Sequence, residues 1–208
     1  MGNIIRLARS QQVRIKYVKR SVLDEINPHH QAVALNVGGY PYSDLDDILH
    51  FARSRDEQDF ILLLDQLQDP QNLGTLIRSA EAFGVHGIVL PLARAASITP
   101  AVVNASSGAT ELVRIAQFNI SQAMDRLKDA GGWMIGLEDS PTAQTPDQIN
   151  LKGGIGLVVG SEGIGLRRLV RDKCDLLMRL PMIGRIDSLN AAVAGSIALF
   201  LASQARDK

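Results

Sequence analysis

Ile155-Gly156-Leu157-Val158-Val159-Gly160-Ser161-Glu162-Gly163-Ile164-Gly165 is the stretch on which the fold turns. Its first five residues carry no polar side chain, the pattern of a strand covered on both faces. Glycine-rich turn chemistry follows at once. Outward from it, Phe60–Leu64 is a second continuous apolar run, and Gly87–Leu90, Val113–Ala116, Trp133–Leu137 and Leu176–Leu180 read as further strands. Between them, Leu73, Leu76, Ile77, Ala80 and Phe83 recur at helical spacing, Ser121–Ala130 reads as helix, and Leu189–Ala202 as a long apolar helix. This alternation predicts an α/β fold, a mainly parallel sheet with helices on both faces. Such sheets bind ligands off the carboxyl ends of their strands. The loops of interest therefore start at Asp65, Pro91, Glu138, Gly160 and Pro181. The chain has no internal repeat and no low-complexity segment.

Ahead of this domain the pattern is different. Helix is expected around Asn3–Ser10, strand around Val13–Val18, a short helix up to Ile26 and strand around Ala32–Val37, with Gly38-Gly39-Tyr40-Pro41 as a break. Asp44–Arg53 reads as a helix with Leu45, Ile48, Leu49 and Ala52 on one face. Such a short leading piece buries little surface of its own. The expected organisation is a partial leading domain over 1–45, a linker over 46–58 and the main domain over 59–208.

Equal numbers of basic and acidic residues, 22 each, argue against a uniformly basic nucleic-acid binder, but the distribution is uneven. Arg6, Arg9, Arg14, Lys16, Lys19 and Arg20 fall within the first 20 residues with no acid among them. Asp44, Asp46, Asp47, Asp56, Glu57 and Asp59 cluster later. A basic end can attract phosphate while the total stays at zero, and it can equally be a solvated face. The single cysteine, Cys174, permits no internal disulfide and fits a reducing cytoplasm. His29, His30, His50 and His86 are not grouped with it or with acids at metal-ligand spacing, so no zinc site is expected. No apolar run is long enough for a membrane span, and no secretory signal is read at the start.

Three loops carry candidate chemistry. In Asp65-Gln66-Leu67-Gln68-Asp69-Pro70-Gln71-Asn72-Leu73-Gly74, Asn72 suits a helix N-cap, Gly74 keeps the first turn uncrowded for an anion, and Arg78 follows a turn later. A capped helix with a solvated arginine explains the same residues. In Gly160-Ser161-Glu162-Gly163-Ile164-Gly165, three glycines let backbone approach a ligand or adopt positive φ. The spacing is neither the dinucleotide fingerprint nor a phosphate loop. In Leu180-Pro181-Met182-Ile183-Gly184-Arg185-Ile186-Asp187-Ser188-Leu189-Asn190, Ser188 and Asn190 suit capping, and the small residues Ala191, Ala192, Ala194, Gly195 and Ser196 let the last helix pack closely. Asp187 calls for a partner, with Arg185 at hand.

Taken together and in this order, Asp69–Gly74 with Arg78, Leu157–Gly163, and Leu180–Met182 through Ser188-Leu189-Asn190 resemble the three motifs of the SpoU/TrmH methyltransferases, over about residues 58–205. The leading segment, His30-Gln31-Ala32-Val33 especially, resembles the end of the small RNA-binding domain found in the ribosomal-RNA branch of that family, with its first half missing. The resemblance implies a sheet whose C-terminal segment is threaded as a trefoil knot, a homodimer, and S-adenosylmethionine held around Gly160, Gly163, Leu180, Met182 and Leu189. It implies methyl transfer to a ribose 2'-hydroxyl of RNA, ribosomal RNA and a guanosine before transfer RNA, in the cytoplasm and without metal. Arg78 would clamp a phosphate and stabilise the emerging alkoxide, since an arginine stays protonated. Asn72, Glu162, Ser188 and Asn190 would orient it, the ribose or the loops, with Glu162 paired to Arg78 or accepting a proton. A dehydrogenase or kinase lacks support in either glycine fingerprint. A non-catalytic RNA-binding factor on the same fold is the other alternative.

Overall fold

The computed structural model describes residues 2–28 and 30–206. His29, one of the four histidines considered above, lies outside the described residues. The chain divides into two compact units, one ending at Gly39 and the other beginning at Tyr40.

The first unit holds two helices, α1 (Gly2–Ser10) and α2 (Arg20–Ile26), neither with a buried residue. The two expected strands do not form: Val13–Val18 and Ala32–Val37 pair with nothing among the described residues. Tyr17, Leu35 and Val37 stay exposed. Alternating apolar residues make a strand only where a neighbouring strand takes up the ladder hydrogen bonds, and this unit offers none. Its local order is polar. His30 Nε2 lies 3.1 Å from Asp24 Oδ1, and His30 Nδ1 accepts from the Ala32 amide at 2.8 Å.

The second unit begins ahead of the expected linker. Tyr40 Oη donates to the Thr110 carbonyl at 2.6 Å, and the Ser43 amide donates to the Ile115 carbonyl. Helix α3 (Leu45–Ser54) buries Leu45, Ile48, Leu49 and Ala52, the face read from the sequence. A Cβ at Gly87 would sit 2.4 Å from Ile48 Cγ2, so α3 lies directly on the sheet and the 46–58 stretch contains a packed helix.

The remaining elements are β1 (Phe60–Asp65), α4 (Pro70–Ala82), β2 (Gly87–Leu90), α5 (Pro100–Ala105), β3 (Arg114–Gln117), α6 (Ile120–Asp129), β4 (Trp133–Leu137), β5 (Ile155–Gly160), α7 (Arg168–Asp172), β6 (Leu176–Met178) and α8 (Ala191–Arg206). Strand order is β3-β2-β1-β5-β4-β6, and every pairing is parallel. β1 and β5 are buried along their whole lengths, in register from Phe60 against Ile155 to Asp65 against Gly160. Leu62, Leu64, Leu157 and Val159 point into one layer with α4 and α8, while Ile61, Leu63 and Val158 point into the other with α3, α6 and α7. The chain builds β1, β2 and β3 outward in one direction, then returns to place β4, β5 and β6 on the other side of β1. That reversal opens a crevice at the carboxyl ends of β1 and β5.

The small residues of α8 serve close packing. A Cβ at Gly195 would lie 2.6 Å from Leu76 Cδ2 and 3.3 Å from Val159 Cγ2, and Ser196 Oγ bonds Ser79 Oγ at 2.7 Å. α8 therefore seats directly on α4 and β5. No helix among the described residues is long and apolar enough to cross a membrane.

Candidate functional site

Three loops meet at the crevice. Asp69, not Asn72, caps α4: its Oδ2 accepts from the Asn72 amide at 2.8 Å, with Pro70 in the first turn. This leaves the Asn72 side chain free to turn outward, and its Nδ2 donates to Glu162 Oε1 at 2.7 Å. Gly74 is where α5 approaches α4 most closely. A Cβ there would meet Ala105 Cβ at 2.4 Å and the Ser106 amide nitrogen at 2.9 Å, so its role is to let α5 lie against α4.

The second loop closes on itself. Ser161 and Gly165 exchange both backbone hydrogen bonds, at 3.1 and 2.9 Å. Gly163 and Gly165 adopt φ of 76° and 71°, which glycine tolerates without strain. A Cβ at Gly160 would lie 2.3 Å from the Gly165 carbonyl carbon, so that glycine makes room for the loop's own backbone. The loop is then fixed from below. Asp65, fully buried at the end of β1, accepts from the Arg167 amide at 2.9 Å and from Arg167 Nε at 2.6 Å.

The third loop brings Asn190 to the same point. Its Oδ1 accepts from the Ala192 and Val193 amides at 2.9 and 3.2 Å and so caps α8. Its Nδ2 donates to Asn72 Oδ1 at 3.1 Å, across 118 residues of sequence, and to Glu162 Oε1. One carboxylate oxygen thus gathers the amides of two asparagines, one from each flanking loop.

Beside this knot of hydrogen bonds lies a cavity of about 510 Å³, off the ends of β4, β5 and β6. Its lining includes Gly160, Glu162, Gly163, Leu180, Met182, Ser188, Leu189 and Asn190, eight of the residues singled out in the sequence. Asn72 reaches it through Glu162 and Asn190. Arg78 stands apart: it is not a lining residue, and its Nη1 donates to Ser107 Oγ at 3.1 Å rather than pairing with Glu162. Arg185 and Asp187 do not pair with each other.

Sequence reading gave no role to several contributors. Glu138 and Asp139 line the cavity from a loop that strand reading had marked, and Arg179 lines it beside Leu180. Arg171 Nε holds Glu138 Oε1 at 2.7 Å. Asp65 and Ser107 act through partners distant in sequence, Arg167 and Arg78, which no local pattern discloses. Among the described residues no group of three or more His, Cys, Asp or Glu could hold a metal ion.

Residues 59–200 match the model of the SpoU rRNA Methylase family. A Bacillus subtilis protein, YacO, named as a TrmH family tRNA/rRNA methyltransferase, is 42% identical over 201 residues, covering 95% of this chain and 80% of its own. The chain belongs to the SpoU/TrmH family of RNA methyltransferases. The SpoU methyltransferase AviRb of Streptomyces viridochromogenes, solved in complex with AdoMet, superposes with a TM-score of 0.70 at 28% identity over 81% of this chain. An AdoMet-bound rRNA methyltransferase of Sinorhizobium meliloti gives 0.67 at 30% identity over 79%. This chain spans 63% and 61% of those two solved chains. The SpoU/TrmH assignment agrees with the all-parallel sheet and with the convergence of the loops after β1, β5 and β6.

Proposed function

We propose that the chain transfers a methyl group from S-adenosylmethionine to a ribose 2'-hydroxyl of RNA, with ribosomal RNA as substrate and a guanosine as its target nucleoside. The observation that carries this reading is the cavity beside the Asn72–Glu162–Asn190 cluster. Its size falls in the range of small-ligand sites. Its lining suits a cofactor with an adenine and cationic groups: Leu137, Val159, Leu180 and Leu189 supply apolar walls, and Glu138, Asp139, Glu162 and Asp187 outnumber the single cation Arg179. The family's AdoMet-bound structures support the same cofactor. Gly160, Gly163, Leu180, Met182 and Leu189 would hold it, largely by backbone. When bound, S-adenosylmethionine supplies an activated methyl group.

The chain's own residues then have defined tasks. Arg78 stays protonated, so its work is to clamp a phosphate beside the target ribose and stabilise negative charge developing on the 2'-oxygen. Glu162 Oε1 is taken by Asn72 and Asn190, which leaves Oε2 as the atom to meet the ribose hydroxyl and its proton. Asn72 and Asn190 hold that carboxylate in place, and Ser188 shapes the rim of the cavity.

The rRNA preference draws on the family model's description, on the Sinorhizobium meliloti rRNA methyltransferase and on the leading segment. Transfer RNA is the second reading, favoured by the tRNA/rRNA naming of the Bacillus subtilis relative. In residues 1–39, Arg6, Arg9, Arg14, Lys16, Lys19 and Arg20 are all exposed and supply phosphate contacts. A homodimer is supported by the apolar stripe of Val193, Ile197 and Phe200 on α8, all more than a third exposed. A trefoil knot belongs to this proposal through the family resemblance alone. The RNA substrate and a lone Cys174 suit the cytoplasm.

Calorimetric titration tests the cofactor assignment. Micromolar binding of S-adenosylmethionine, near about −8 kcal/mol, with no binding of NAD or ATP, is expected. Tight binding of NAD or ATP instead would return the chain to the nucleotide-binding enzymes.

A further inference from the structure

We propose that Ser107 is a positioning residue for Arg78, placed at a backbone position that favours glycine so that its hydroxyl can hold the guanidinium. The inference rests on the reading that Arg78 works at the target ribose. α5 ends in a Schellman turn: the Ser107 amide donates to the Asn104 carbonyl and the Gly108 amide to the Val103 carbonyl, each at 3.0 Å. Ser107 occupies the left-handed position of that turn, with φ of 53°. Glycine is the usual occupant there, because a Cβ is strained at positive φ. Serine brings no capping gain in exchange, since its backbone makes the turn's hydrogen bonds whatever the side chain. What it adds is Oγ, and Oγ accepts from Arg78 Nη1 at 3.1 Å.

The geometry between the two residues is rigid at the backbone. Gly74, one turn before Arg78 on α4, lets the end of α5 approach so closely that any Cβ would collide with Ala105 and with the Ser106 amide. Ala105 and Ser106 immediately precede Ser107. The mainchain at 105–107 is therefore set at a fixed distance from α4. Arg78 itself is exposed and, apart from Ser107, has no hydrogen-bond or ion-pair partner among the described residues. Without that acceptor, a long side chain would sample many rotamers and lose the alignment on which its effect depends. Strain of this kind at one residue is accepted where the side chain does something the relaxed residue cannot.

The test is Ser107→Gly, which relieves the backbone while deleting the acceptor. Three quantities are read on the full chain: the melting temperature, the ¹⁵N–¹H heteronuclear NOE of Arg78 Nε, and kcat and KM for methyl transfer to ribosomal RNA. The expected result is an unchanged or higher melting temperature, an Arg78 NOE that falls to the level of freely exposed arginines, and a kcat about three- to tenfold lower, the range of one hydrogen bond, with unchanged S-adenosylmethionine binding. An unchanged NOE overturns the proposal whatever the activity does. So does a lower NOE with unchanged kcat, or a fall in melting temperature that accounts for the lost activity. Should the natural chain methylate no RNA at all, the functional reading fails, while the NOE still decides whether Ser107 holds Arg78.

Discussion

Asn190→Ala removes one side chain that does two separable jobs. Its Oδ1 caps α8 through the Ala192 and Val193 amides, and its Nδ2 ties that helix to Asn72 and Glu162. Loss of an asparagine cap costs about 1 kcal/mol. The inter-loop bonds are solvent-exposed and add about 0.5–1 kcal/mol. The expected loss is therefore about 1.5–2 kcal/mol, a drop of roughly 3–8 °C in melting temperature for a unit of this size. Asn190→Ser separates the jobs: a serine hydroxyl can cap the helix but cannot reach Glu162. Urea denaturation should place the serine variant about 0.5–1 kcal/mol below the natural chain, the exposed ties alone being missing, and the alanine variant about 1 kcal/mol lower still. Methyl transfer should fall in both, because both release Glu162. A serine variant as unstable as alanine would refute the cap as the source of the loss. An alanine variant as stable and active as the natural chain would refute the whole account of Asn190.

Other perturbations address other parts of the molecule. Arg78→Ala should abolish methyl transfer and leave the affinity for S-adenosylmethionine within about twofold, about 0.4 kcal/mol, because Arg78 lies outside the cavity lining; near-normal turnover would remove it from the mechanism. Ile197→Glu places a charge in the apolar stripe of α8 and should halve the mass seen by analytical ultracentrifugation; an unchanged mass would show that the stripe is not the dimer contact. Asp59 is 8% exposed, and its Oδ1 is buried with no hydrogen-bond partner among the described residues. Burial raises its carboxyl above the ordinary carboxylate range, so the folded chain holds that proton more tightly than the unfolded one. The stability this lends in acid is lost as pH rises from the unfolded value near ~3.9 through the folded one. Asp59→Asn should accordingly stabilise the protein by about 1–3 kcal/mol at neutral pH, with the gain shrinking in acid. An equal gain at both pH values would contradict the assignment.

The sheet was legible because its strands are local facts. Phe60–Leu64 and Ile155–Val159 are apolar throughout, and only a strand covered on both faces calls for that. The face of α3 was legible for the same reason, although its packing onto Gly87 of β2 was not. Val13–Val18 and Ala32–Val37 carry a strand's composition, but pairing is a property of two segments, and neither finds a partner among the described residues. The glycines show the limit most clearly. Gly74 and Gly160 were marked for close approach, and what a Cβ would meet there is Ala105 and the backbone of Gly165, while Gly160 also lines the cavity. Close approach was the correct inference, and what approaches is set by tertiary contacts. Motif order located Asn72, Glu162 and Asn190, yet their joining at a single carboxylate oxygen spans up to 118 residues. Asp65 with Arg167, and Arg78 with Ser107, lie 102 and 29 residues apart and belong to the same class. The 3.6-residue and two-residue periods report burial, and they carry no information on which polar groups meet.

The central claim is the transfer itself. Ribosomal RNA lacking the modification would be incubated with the purified chain and S-adenosylmethionine carrying a deuterated methyl group, then digested to nucleosides for mass spectrometry. Label on the ribose 2'-oxygen of one nucleoside, absent with the Arg78→Ala variant, is the result the account predicts. Label on a base, or no label in ribosomal or transfer RNA despite bound cofactor, would contradict it.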